Sequence, residues 1–145
     1  QHLHHRHTVP DGIREHPTAL KVEALHDKAY ALVRDRLDAA RRAAMERFEA
    51  RHAGGDRTVA TRIEEIIPAA VEGRIEALVV GAKASAEGVY AEGENRAIVS
   101  PAGTAHTMDL VDFAVVRALS SGGAVYARPA DAADDFPSLA AVYRY

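Results

Sequence analysis

The sequence contains no cysteine. A disulfide scaffold, a thiolate zinc site and a cysteine nucleophile are therefore excluded, and a cytoplasmic location fits. Long apolar runs are missing as well. Runs such as Ala77 to Val80 are strand-sized and far short of the roughly eighteen residues needed to span a bilayer. No signal-peptide pattern opens the chain, and no membrane partner is expected. An excess of positive charge is also lacking. Residues 57–145 hold eight Lys/Arg against twelve Asp/Glu, a net of -4, whereas residues 1–56 hold ten against nine. A domain that grips bare RNA by its phosphates carries a basic patch. Any nucleic-acid contact made by the acidic stretch has to be local, or relayed through protein.

What is there is globular. Of 145 residues, 48% are hydrophobic and 27% charged, enough apolar material for one core plus an extension. The chain opens on Gln1 rather than Met, so it reads as a piece of a longer protein. Residues 1–17, punctuated by Pro10, Asp11-Gly12 and Pro17, read as a linker or extended arm, and residues 18–145 as the domain.

From Thr18 to His52 the pattern is helical. Val22, Leu25, Ala29, Leu32, Val33, Leu37, Ala40, Ala44, Met45 and Phe48 recur at steps of three and four. Gly54-Gly55 stops the run. Arg57 to Ala60 suits a short strand. Thr61-x-x-Glu64 has the form of a capping box opening a second helix, with Pro68 inside it and Gly73 closing it. Ile75 to Val80 reads as a strand buried on both faces. Val89–Ala91 and Ala97–Val99 suit a hairpin. Met108 to Leu119 suits a third helix, stopped by Ser120-Ser121-Gly122-Gly123, and Ala124–Arg128 and Leu139–Tyr143 suit two more strands. Helices alternating with buried strands predict an α/β fold, an α/β/α sandwich.

The stretch from Val59 to Val80 resembles the start of the third domain of archaeal and eukaryotic class-1 release factors and of Pelota. There a capped helix ends in a small-residue, Gly-containing turn and an apolar strand follows at once. Phe48 stands where that family places an aromatic near the end of the preceding helix. The bacterial branch, which includes the hibernation factor Balon, resembles the chain further. The shared pieces are Ala69-Ala70-x-x-Gly73-Arg74, Asp109-Leu110-Val111-Asp112-x-Ala114, Gly122-Gly123-x-Val125-Tyr126 and Ala140-Ala141-x-x-Arg144-Tyr145. Pro17 followed by Glu23-Ala24-Leu25-His26 resembles the linker ahead of its third domain. The resemblance implies a three-layer α/β/α sandwich with a central mixed sheet, like the kink-turn-binding ribosomal proteins, preceded by a long helix. It also implies a non-catalytic domain docking to the ribosome, to an elongation factor Tu-like GTPase, or to both, in release, rescue or hibernation. The alternative is kink-turn-type RNA binding. The hydrolytic Gly-Gly-Gln of true release factors is absent, and Gly54-Gly55-Asp56 is no substitute.

Candidate site residues follow from charge and chemistry. Arg34, Arg41, Arg42, Arg47 and Arg51 form the basic side of the first helix and are the expected contact with rRNA or ribosomal protein, though interleaved acids also suit an ordinary solvated helix. Asp38 and Arg42 are spaced as an i,i+4 pair. His2, His4, His5 and His7 crowd together, but no second-shell partner is fixed nearby, so no metal or cofactor is expected. His106 with Asp109 and Asp112 has acid-base potential, which capping by Thr107 or Asp109 explains more cheaply. Gly81 and Gly88 lack the Gly-Lys-Ser/Thr of a phosphate loop. Glu64, Glu65, Glu72 and Glu76 are candidates for an acidic docking face.

Overall fold

The structure is a computed structural model that describes residues 12–14, 16, 21–101 and 103–145. The four N-terminal histidines, Pro10, Asp11 and Pro17 lie outside the described residues. The chain forms two compact units, residues 1–42 and 43–145. A long helix, α1 (Val22–Ala53), gives its first turns to one and its last turns to the other.

In residues 1–42, α1 is held by local ion pairing. Arg41 pairs with Asp38 at 3.0 Å, an i,i+3 contact, rather than Asp38 with Arg42. One turn of a helix brings i+3 and i+4 equally near, and Arg41 takes the carboxylate. Ile13 is half-buried, and with Arg14 it lines a groove with Lys28, Ala31 and Leu32 of α1.

Residues 43–145 contain β1 (Val59–Ala60), α2 (Ile63–Val71), β2 (Ile75–Val80), β3 (Glu87–Ala91), β4 (Arg96–Val99), β5 (Met108–Asp109), α3 (Leu110–Ser120), β6 (Ala124–Ala127) and β7 (Leu139–Tyr143). Four strands make a mixed sheet in the order β1-β7-β2-β6, with β2 and β6 parallel and the other pairs antiparallel. Side chains along a strand alternate between faces, but β2 shifts register against β7 between Ile75 and Ala77. Ile75 and Leu78 therefore share the face covered by α2 and α3. Ala77 and Val79 share the other, with Ala140 and Val142 of β7, and Phe48 and Ala44 of the last turns of α1 cover them. A strand that is apolar apart from Glu76 thus serves both faces of a three-layer α/β/α sandwich. Phe136 meets Phe48 edge to face, 5.5 Å between centroids.

The hairpin does not join that sheet. β3 and β4 pair around a 3-10 turn, Glu92–Glu94, with Asn95 in the left-handed region at φ 44 and bonded through Oδ1 to the Tyr90 hydroxyl. With β5 they form a separate antiparallel sheet in the order β4-β3-β5. Met108 and Asp109, expected as the first turn of the third helix, are that third strand instead, because Gly88 and Glu87 supply an edge for them. Gly88 is obligatory here: a Cβ would collide with the Ile98 carbonyl and with Leu110 Cδ1.

Helix α2 starts one residue later than the capping-box pattern predicts. Its N-cap is Arg62, with no side-chain cap. Counted from there Glu64 is the second helical residue, not the third, so the reciprocal bond is out of phase and Glu64 pairs with Arg62 at 3.6 Å. Ile63, Ile66, Ile67 and Ala70 are all buried in this phase. Pro68 lies inside α2, which continues unbroken to Val71. The bond it forfeits would have gone to the Glu64 carbonyl, in the half-exposed first turn.

Candidate functional site

Of the five arginines, Arg34, Arg41 and Arg42 belong to the first unit and Arg47 and Arg51 to the second. Arg34 approaches Asp35 at 3.8 Å and is mostly exposed, Arg41 is engaged by Asp38, and Arg42 is exposed. In the second unit Arg47 pairs with Glu76 of β2 at 3.3 Å. Arg51 is half-buried and donates to the Thr58 hydroxyl and the Tyr143 carbonyl, both at 3.3 Å, tying α1 to the last strand. The acidic residues are likewise occupied. Glu72 takes Arg74 Nε at 2.6 Å and Asn95 Nδ2 at 2.8 Å, Glu64 has Arg62, and Glu76 has Arg47. Three of the four carboxylates of the proposed acidic face are thus paired with arginine.

The pieces that carry the family resemblance converge. Helix α2 ends with the amides of Gly73 and Arg74 on the carbonyls of Ala70 and Ala69, and Gly73 at φ 70. Helix α3 ends the same way, with Gly122 and Gly123 on Leu119 and Ala118, and Gly122 at φ 77. Both are Schellman motifs, which need a left-handed residue at the first position past the cap. Gly123 is needed for another reason, since a Cβ would stand 2.8 Å from the Ile75 carbonyl. Arg144 joins the two ends: one guanidinium nitrogen donates to the Gly73 carbonyl at 2.6 Å and another to the Ser121 carbonyl at 3.0 Å. A cation between two helix C-termini is favoured by both dipoles. The Arg74 guanidinium lies 5.2 Å from the centre of the Tyr143 ring, and the Tyr143 hydroxyl donates to the Glu65 carbonyl. Burial, reinforced by the nearby Glu65 charge, pushes the Tyr143 hydroxyl up to about 12.

Asp109 is a cap, not an acid-base partner. It accepts from Val111 N at 2.8 Å and from the Ser85 hydroxyl at 2.8 Å, holding the loop after β2 against the start of α3. Burial alone would raise its carboxyl, but these bonds and those from the Ala86 and Asp112 amides outweigh it and hold the group below its ordinary value. The Thr107 hydroxyl goes to Glu87 and the Thr104 carbonyl instead. His106 is exposed with φ 64 and makes no bond to Asp109 or Asp112. Among the described residues no group of three or more His, Asp or Glu is placed to hold a metal. None of the described helices is long and apolar enough to cross a membrane.

Sequence reasoning did not find the pocket walled by Phe48, Glu49, His52, Asp135, Phe136 and Pro137, about 290 Å³ in volume. Its two walls lie more than eighty residues apart in the chain. The only local sign was the acidic loop Asp131 to Asp135.

The fold is that of a release-factor C-terminal domain. It matches the C-terminal domain of the peptide chain release factor from Methanosarcina mazei at TM-score 0.60 and 15% identity, over 92% of this chain and 98% of that one. Archaeoglobus fulgidus Pelota matches at TM-score 0.50 and 18% identity, over 87% of this chain but 37% of its own. An archaeal translation termination factor matches at TM-score 0.47 and 20% identity, over 89% of this chain and 29% of its own. The chain thus spans about a third of the length of the complete factors it resembles. No curated protein sequence matches it. Residues 1–74, half of the chain, match the model of bacterial archaeo-eukaryotic release factor family 3, and the chain belongs to that family.

Proposed function

We propose that this chain is a non-catalytic docking domain of a translation-associated protein, engaging the ribosome, an elongation factor Tu-like GTPase, or both. Membership of a release-factor family carries the reading, and a C-terminal-domain fold supports it. The candidate acid-base residues support it too, because Asp109 is committed to capping and His106 to an exposed turn. The docking surface is the exposed part of the predicted arginine set. Arg34 and Arg42 are its contacts, whereas Arg47, also exposed, is held by Glu76, Arg41 by Asp38, and Arg51 serves the fold. Residues 1–17 serve as a linker or extended arm and residues 18–145 as the docking domain.

The test is co-sedimentation of the chain with bacterial ribosomes, beside capture on immobilised elongation factor Tu in its GTP form. Retention above an unrelated acidic domain, cut several-fold by Arg34→Glu with Arg42→Glu, is expected. No retention on either partner overturns the reading. Kink-turn RNA binding is the rival outcome, recognised by salt-sensitive affinity for a kink-turn oligonucleotide. The net charge of -4 over residues 57–145 weighs against it.

A further inference from the structure

Between Val22 and Arg41, helix α1 turns an apolar stripe to solvent. Val22 is 80% exposed, Leu25 38%, Tyr30 53% and Leu37 57%, and Val33 among them is half-buried. At about 100° per residue these five fall within an arc of about 140°. Arg36 is the only arginine, lysine or carboxylate of residues 22–41 inside that arc, and it has a partner of its own. One border of the stripe carries residues 12–14, which share a groove with Lys28, Ala31 and Leu32. The other border is a row of charges within about 40° of one another: Glu23, Asp27, Arg34 and Arg41 in chain order. Both acids come first and both arginines last. The helix dipole accounts for Glu23 in the first turn, but not for arginines placed mid-helix in the same row. Inside the chain Arg34 is paired with its neighbour Asp35 at 3.8 Å, Asp27 with its neighbour His26 at 3.5 Å, and Arg41 with Asp38, just outside the row, at 3.0 Å. Local surface pairs of this kind are weak and exchange readily for others.

We propose that the stripe binds a second copy of itself, helix against helix in antiparallel order. A two-fold axis between Ala31 and Leu32 sets Glu23 and Asp27 of one copy beside Arg41 and Arg34 of the other, and the symmetry makes the match twice. The same axis brings Leu25 level with Leu37 and Tyr30 level with Val33, so apolar meets apolar along about 30 Å of helix. In parallel order each row of charges would instead face the border that residues 12–14 occupy. Residues 1–11 offer Leu3 and Val9 as large apolar side chains, too few to cover the stripe from within the chain. A single pair of helices is a small interface, so the pairing is reversible and the dilute chain is monomeric. The inference concerns residues 22–41 alone and stands whether or not the domain docks to the translation machinery.

The experiment is analytical ultracentrifugation of the whole chain from low micromolar to near-millimolar concentration. A reversible monomer–dimer equilibrium is expected. Glu23→Lys with Asp27→Lys makes the row wholly positive, and in a second chain Arg34→Glu with Arg41→Glu makes it wholly negative. Each reversed chain alone is expected to self-associate at least tenfold more weakly than the parent. Mixed one to one, the two are expected to pair at least as tightly as the parent, which neither a misfolded variant nor parallel order would give. Leu37→Ala is expected to weaken pairing several-fold while leaving the stability of the monomer unchanged. A chain that stays monomeric at every concentration overturns the proposal. So does self-association that either reversed chain retains in full, or a mixture of the two that fails to pair.

Discussion

Between Val22 and Arg42, α1 carries Val22, Leu25, Leu32, Val33 and Leu37 at helical steps, and none of them is buried; between Ala43 and Ala53 it carries Ala44 and Phe48, and both are. The two stretches have the same periodicity, and propensity treats them alike. What separates them is a neighbour. Phe48 and Ala44 meet the face of the mixed sheet formed by Ala77, Val79, Ala140 and Val142. A periodic apolar stripe states which side of a helix is ready to be covered, and it is silent on whether anything covers it.

That contrast is open to breaking by substitution. Phe48→Ala, which leaves a cavity beside Phe136, is expected to destabilise residues 43–145 by about 3–5 kcal/mol in urea unfolding. A loss under about 1 kcal/mol would mean that the α1 layer is not part of the cooperative core. Gly123→Ala is expected to follow at about 1–3 kcal/mol, because the added methyl meets the fixed carbonyls of Ile75 and Ala118. Arg144→Ala is expected to cost about 1–2 kcal/mol by unbinding the ends of α2 and α3, with Arg144→Lys recovering only part of it. Hydrogen exchange should then show both helix C-termini opening together.

A smaller effect comes with alkali. A hydroxyl that holds its proton longer in the folded state than in the unfolded one favours folding below its unfolded value near 10. For Tyr143 that contribution is lost as pH rises through about 12. Spectrophotometric titration should show a late tyrosine step, and Tyr143→Phe should remove it and flatten the alkaline decline in stability. Leu37→Ala, in the uncovered stretch of α1, closes the series within about 0.5 kcal/mol of the parent in dilute solution, where the chain is monomeric. A larger loss there would show that another segment of the chain covers Leu37.

Much of the fold was legible because its signals are local. Ile75–Val80 and Leu139–Tyr143 were read with the bounds they have, since a run of apolar residues between turn signals needs no partner to be recognised. Gly73 and Gly122-Gly123 were read as helix stops, and they are. The candidate arginines were harder. Charge and periodicity placed all five on one helix, but Arg51 bonds to the Tyr143 carbonyl ninety-two residues away, and no local pattern carries that. The capping box misled by one position, because burial of Ile63, Ile66 and Ile67 set the phase of α2 instead.

By itself the sequence determined the three helical segments, the strands Ile75–Val80 and Leu139–Tyr143, and the glycine stops after the helices, because those follow from side-chain period and from backbone freedom at particular glycines. The tertiary structure alone decided the register shift that shares β2 between two faces and the departure of the hairpin into its own sheet. It also decided the use of Arg144 as a tie between two helix ends and the meeting of Glu49 with Asp135 at one pocket. Each of these is a contact between residues far apart in the chain, whose energy exists only once the intervening chain has folded to bring them together.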